Sequence, residues 1–306
     1  MNFSDNTPLN KILNGLFVPY AERVPDVETI TTAMKGIGLI SKQEDIVNDH
    51  IAFRTLGVPN LGIASFEKIF LHHGYTKQDH YFFPKKKLDA YWYKPPHNHY
   101  PRVFISELKV KELSTTAQDI IYSYTKEIQK DPIGELNLND AEEVVDFLHQ
   151  ALWKLPSLYD YKTLLNESEY GAWVIYNRYY LNHYTISIHE LPSPYNDLEF
   201  FNKFLQSIGV ILNDAGGEIK TSQDKLLRQS STIAQSVEAT FENGETAEIA
   251  GSYVEFAERL PLPAFANLSR EKLTNARRRE GFETANADKI FESTFSDQIK
   301  KNLQSY

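Results

Sequence analysis

The sequence contains no cysteine. That absence removes disulfides, thiolate metal ligands and cysteine nucleophiles together. Any transition metal must then be held by nitrogen and oxygen donors. No apolar run approaches the roughly 20 residues needed to span a bilayer. The opening MNFSDNTPLN lacks the basic and apolar regions of a signal peptide, so a cytoplasmic protein is the expectation. Several motifs are missing too. There is no G-x-G-x-x-G, P-loop, G-x-S-x-G or H-E-x-x-H, and dinucleotide, nucleotide, α/β-hydrolase and zincin readings lose their usual supports. Basic residues form no long block. The runs Lys85 to Lys87 and Arg277 to Arg279 are short and followed by acids, and the net charge is −9. Neither nucleic acid nor a membrane surface is an expected partner.

What is present reads as one enzyme-sized α+β domain. The chain has 306 residues, of which 42% are hydrophobic and 24% charged, as in ordinary globular proteins. Residues 1–45 read as a helical N-terminal segment broken near Pro25. Residues 46–111 alternate as β-α-β-β-β. HIAFRTLG is a strand and GIASFEKIFLHHG a helix stopped by Gly74; KQDHYFFP, LDAYWYKP and RVFISELKV are strands rich in aromatic and β-branched residues. Residues 112–170 read as a helical insertion, with Asp140 as an N-cap and Glu143 completing a capping box. Residues 171–266 give a second β-α-β-β-β run: LNHYTISIHEL, the helix NDLEFFNKFLQSIG, LLRQSSTIAQS, VEATFEN and SYVEFAERL. Residues 267–306 form a polar, helical tail. Paired units of this kind form a cupped mixed sheet, and the strand faces lining the cup are the place for polar chemistry.

Strand alternation selects the candidates. His50, Ala52 and Arg54 share one face of the first strand. His183, Thr185, Ser187 and His189 share a polar face of the strand that opens the second unit. Glu255 shares a face with Tyr253 and Ala257 in the last strand. Two imidazoles and one carboxylate form a facial triad of the kind that binds Fe(II) and leaves three positions open. Glu258 is a competing acid, Glu107 in the last strand of the first unit is a candidate fourth ligand, and His189 lies too far along its strand to join His183. The HNH at 97 to 99 sits between prolines and reads as loop. Arg54 reads either as a salt bridge at the sheet rim or as a fork for a substrate carboxylate. In the run Gln229, Ser230, Ser231, Thr232, the residues Gln229 and Ser231 would face the cup.

Together these stretches carry a resemblance. NDHIAFRTLG, YFFPKKKLDAYWYKPP, RVFISEL, NHYTISI, GGEIKTSQDKLLRQSSTIA, SYVEFAER and REGFETANADKIFEST resemble the 2-oxoadipate dioxygenase/decarboxylase family, related to the vicinal oxygen chelate superfamily. The resemblance runs from about residue 45 to residue 295. It implies Fe(II) held by His50, His183 and Glu255, with Arg54 binding substrate. It also implies conversion of 2-oxoadipate and O2 to 2-hydroxyglutarate and CO2. This chain is similar to the short members, without the added segments that longer ones place near the pocket. Alternatives are a glyoxalase-type isomerase or a hydrolase using zinc or manganese, and a non-catalytic protein that holds a small acid.

Overall fold

The computed structural model describes residue 3 and residues 6 to 303. The helices α1 (Pro8–Arg23) and α2 (Pro25–Gly36) meet at the break expected near Pro25. The first unit follows as β1 (Asn48–Leu56), α3 (Ile63–His72), β2 (Thr76–Phe83), β3 (Leu88–Lys94) and β4 (Arg102–Leu108). Helices α4 (Thr115–Thr125), α5 (Ala141–His149), α6 (Leu158–Glu167) and α7 (Glu169–Asn177) come next. The second unit comprises β5 (His183–Ser187), α8 (Leu198–Ser207), β6 (Lys220–Thr221), β7 (Leu227–Ser231) and, after the hairpin β8 (Ser236–Thr240) and β9 (Thr246–Ala250), β10 (Tyr253–Arg259). The tail carries α9 (Thr284–Phe291) and α10 (Ser296–Leu303).

The eight-stranded sheet has the order β2-β3-β4-β1-β5-β10-β7-β6. In each unit the first strand runs parallel to the last, β1 to β4 and β5 to β10, and β1 and β5 pair antiparallel at the seam between units. The two halves are therefore related like the two sides of an open book. The apolar side of each strand faces outward, onto helices. Phe53 packs on Phe66 and Phe70 of α3, Tyr184 on Phe17 and Tyr20 of α1, and Phe256 on Phe201 of α8. Each such ring contributes roughly 1.5–3 kcal/mol by leaving water. The opposite face is left for polar side chains, covered by the tail.

The structure corrects several expectations. The second unit does not use VEATFEN as a sheet strand. That stretch pairs with β9 in a separate two-stranded ribbon. The place in the sheet is taken by β6, too short and polar to show in the sequence. β5 stops at Ser187, and His189 lies in a 3-10 turn where its Nδ1 accepts from the Arg259 amide. Asp140 caps α5, accepting from the amides of Glu142 and Glu143, but Glu143 reaches back to the amide of Asn137 instead of closing a capping box. The HNH loop is exposed, as read.

Candidate metal centre and pocket

His50, His183 and Glu255 come together on the inner face of β1, β5 and β10. Their ligand atoms all lie within 4.8 Å of one another, and all three side chains are buried. Glu255 Oε2 is 3.0 Å from His183 Nε2 and 3.4 Å from His50 Nε2. Two donors about 2.1 Å from one metal ion at right angles stand roughly 3 Å apart, so the spacing suits a shared ion. The groups behind the donors fit as well. His50 Nδ1 is 2.8 Å from Asp49 Oδ1, and His183 Nδ1 is 2.9 Å from Asn182 Oδ1. An oxygen acceptor at each Nδ1 keeps the proton there and turns the Nε2 lone pair to the centre. Gln229 Nε2 donates to Glu255 Oε1 at 2.7 Å and so aims Oε2 at the imidazoles.

Register explains why the site has three donors and no fourth. His50 pairs with Arg102 and Ala52 with Phe104 in the first unit; His183 pairs with Tyr253 and Thr185 with Glu255 in the second. The position equivalent to Glu255 is therefore Phe104, which lines the cavity. Glu107 falls on the outer face, where its Oε2 accepts from the Ile63 amide at 2.8 Å and caps α3. A Cβ on Gly62, at φ +84°, would stand 2.1 Å from that oxygen. Glu258 also faces outward, 3.0 Å from Arg228 Nη1. Neither acid joins the centre.

Charge in the metal-free site is shared between neighbours. Burial pushes the Glu255 carboxyl up, but the imidazoles, His50 foremost, hold it at about 2. Burial likewise pushes His50 down, and the Glu255 and Asp49 carboxylates reverse it to a net rise. Burial dominates at His183, which ends below its ordinary value. A proton resting on His50 must leave when a cation binds. Asp49 is itself held well below the carboxylate range; burial opposes this, and Arg259 and Arg102 outweigh burial.

Arg54 occupies the other end of the same face. It is 1% exposed, so it is no rim residue. Nη1 donates to Thr294 Oγ1 at 2.9 Å and Nη2 to the Phe291 carbonyl at 3.2 Å. The rings of Tyr170, Trp173 and Phe291 surround it. Among the described residues no carboxylate forms a salt bridge with it. Ser231 shares the inner face with Gln229, but its hydroxyl pairs with Ser293 at 2.8 Å and anchors the tail instead of lining the cavity. Ser230 faces outward to Asn202, and the Thr232 hydroxyl accepts from the Val254 amide.

The tail supplies what strand periodicity missed. Phe282, Ala287, Ile290 and Phe291 close the cavity opposite the triad, leaving about 20 Å³. The only signal for them was the small apolar stripe Ala287, Ile290, Phe291 in an otherwise polar helix. Asn286 Nδ2 donates to Gln229 Oε1 at 3.0 Å, and Lys86 Nζ pairs with Asp288 at 2.8 Å and Glu292 at 3.1 Å. These contacts pin α9 over the site.

Comparisons with known proteins agree with this geometry. Residues 12–273 match the family described as 2-oxoadipate dioxygenase/decarboxylase. A 2-oxoadipate dioxygenase/decarboxylase of Arabidopsis thaliana, named as chloroplastic, is 39% identical over 95% of this chain and 78% of its own length. One of Oryza sativa subsp. japonica, named as chloroplastic/amyloplastic, is 41% identical over 95% of this chain and 79% of its own length. The crystal structure of the hydroxyglutarate synthase from Oryza sativa in complex with 2-oxoadipate is 41% identical, with a TM-score of 0.85 over 94% of this chain and 92% of that one. Among the described residues no helix is long and apolar enough to cross a membrane. The fold is of the vicinal-oxygen-chelate type, and the chain belongs to the 2-oxoadipate dioxygenase/decarboxylase family.

Proposed function

We propose that this chain is an Fe(II)-dependent dioxygenase that converts 2-oxoadipate and O2 to 2-hydroxyglutarate and CO2. The observation that carries the reading is an inner sheet face with a donor cluster at one end and a buried cation at the other. One end is a three-donor cluster that lines the cavity. The other is a fully buried arginine that pairs with no carboxylate among the described residues. A buried cation without a counter-ion is costly, and a substrate carrying a second carboxylate supplies what is missing.

When bound, Fe(II) supplies a Lewis-acid anchor for a 2-oxo carboxylate and the electrons that activate O2. The chain's residues do the rest. Asp49 and Asn182 hold both imidazoles in the tautomer that presents Nε2, and Gln229 fixes the Glu255 carboxylate. Arg54 receives the distal carboxylate and thereby sets which carbons face the centre. Phe104, Phe282 and Phe291 keep bulk water from the reacting carbons. The net change balances: the first carboxyl leaves as CO2 with its own two oxygens, and both atoms of the one dioxygen consumed stay in the 2-hydroxyglutarate, one in the new carboxyl and one in the hydroxyl. A cytoplasmic setting belongs to this reading of the chain.

The test is oxygen uptake by protein loaded with Fe(II). Uptake should match 2-oxoadipate consumed, CO2 released and 2-hydroxyglutarate formed, one to one. Conversion of 2-oxoadipate without oxygen uptake would point to an isomerase or hydrolase with zinc or manganese. Protein that binds the acid but no metal would be a binding protein. Arg54→Lys should keep the metal yet raise the KM for 2-oxoadipate about tenfold or more, because lysine has no planar fork. An unchanged KM would remove Arg54 from the substrate site.

A further inference from the structure

The reading of Arg54 as a substrate fork leaves a difficulty. Both terminal nitrogens already donate, to Thr294 and to the Phe291 carbonyl. Each of these nitrogens has committed one N–H, whereas Nε is buried and forms no hydrogen bond of ordinary geometry. One other buried donor on the same inner face is in the same position, the hydroxyl of Tyr253. Tyr253 is completely buried and lines the cavity. Its ring stacks on His183, with centroids 4.7 Å apart and planes at 27°. Its backbone pairs with His183 in the sheet, so its position relative to the triad is fixed by register. The guanidinium lies close enough to the hydroxyl for a weak hydrogen bond in which the hydroxyl oxygen accepts, so the Tyr253 O–H itself is left without an acceptor. Buried polar atoms almost always have partners, and a buried O–H with no acceptor calls for an explanation.

We propose that Tyr253 is a substrate-binding residue, its hydroxyl donating to the distal carboxylate of the 2-oxo diacid alongside Arg54 Nε–H. This rests on the proposed function and deepens it. A carboxylate has acceptor sites for both donors at once, and none of the contacts that hold Arg54 to the tail has to break. Register sets the distance from the triad to the hydroxyl, so Tyr253 acts as a gauge of chain length and requires a charged end. A purely structural role is also visible, since the ring supports His183. The two roles separate in Tyr253→Phe, which keeps the ring and loses only the hydroxyl.

The experiment is an anaerobic titration of Fe(II)-loaded protein with 2-oxoadipate and with 2-oxohexanoate, which has the same six carbons but a methyl end. Wild-type protein should prefer the diacid. In Tyr253→Phe the affinity for 2-oxoadipate should fall by about 10- to 100-fold, the worth of one charge-assisted hydrogen bond, with 2-oxohexanoate unchanged and a full complement of metal retained. In turnover the loss should appear in KM and leave kcat nearly intact. Equal losses for both acids, no loss for either, or loss of metal in the variant would overturn the proposal and leave Tyr253 as a support for His183. Wild-type protein that fails to prefer the diacid would overturn the proposal and the diacid reading together. A preference for the diacid that is undiminished in Tyr253→Phe would overturn the proposal alone.

Discussion

Replacing Glu255 with glutamine should empty the metal centre and leave the fold standing. The substitution removes the one anionic donor, so metal affinity should drop by more than the roughly 10- to 100-fold that altering a group behind a ligand costs. Turnover should fall at least as far. The packing argument is specific. Gln229 Nε2 donates to Glu255 Oε1, and a glutamine amide oxygen accepts that bond equally well. The metal-free variant should therefore still fold cooperatively but melt below metal-free wild type, because the imidazoles that hold the Glu255 carboxyl at about 2 lose their anionic partner. Only the wild type should gain stability on adding Fe(II), about 2.7 kcal/mol at a hundredfold excess over Kd. Metal analysis after reconstitution, with melting curves with and without metal, reads both effects. A variant that keeps one metal per chain would show that these three residues are not the ligand set.

Asp49→Asn should be costly in two measurable ways. The Asp49 carboxylate is 1% exposed. It accepts from Arg259 Nε at 2.6 Å, Arg259 Nη2 at 2.8 Å and Arg102 Nη1 at 3.4 Å, and it holds His50 Nδ1 at 2.8 Å. Asparagine fills the same space without the charge, so Arg259 becomes a buried cation lacking its counter-ion. Breaking a buried pair in this way costs about 3–5 kcal/mol. The lower end applies, because Arg259 keeps the carbonyls of Gly281 and Arg279. The second effect is on the imidazole. If the amide presents its NH2 to His50 Nδ1, the ring proton moves to Nε2 and the donor lone pair is lost. Metal affinity should weaken by about 10- to 100-fold. Urea unfolding of the metal-free protein reads the first effect and metal titration the second. Weaker folding with unchanged metal affinity would reduce Asp49 to a counter-ion for Arg259.

The contrast between Glu255 and Asp49 shows what local sequence carries. His50, Arg54, His183 and Glu255 were legible because strand alternation is a local property, and one face of each strand was apolar enough to identify the other. Asp49 sits next to His50 in the chain and so belongs to the wrong face by parity. It reaches the His50 ring at a register shift between Asn48 and Ile51. That irregularity depends on how β1 meets β5, which no stretch of β1 encodes. Glu107 misled for a related reason. Counting within VFISEL finds an acid, whereas the pairing of β4 with β1 puts Phe104 at the corner that matters. The repeated unit was legible in its first half, where the strands are long and aromatic. It was misassigned in the second, where β6 has two residues and the hairpin β8-β9 interrupts the run. The lid α9 stayed hidden because its partner is the substrate cavity, which needs only a narrow apolar stripe.

The small size of that cavity has a kinetic consequence. A space of about 20 Å³ holds about one water molecule, and a six-carbon diacid cannot enter it as it stands. Capture therefore waits on a door. The element that covers the cavity is α9, tied down by the Lys86 pairs to Asp288 and Glu292, and entry of the substrate is expected to require those pairs to open. Where such an opening limits capture, the binding rate levels off with rising substrate and kcat/KM stays below the collision limit.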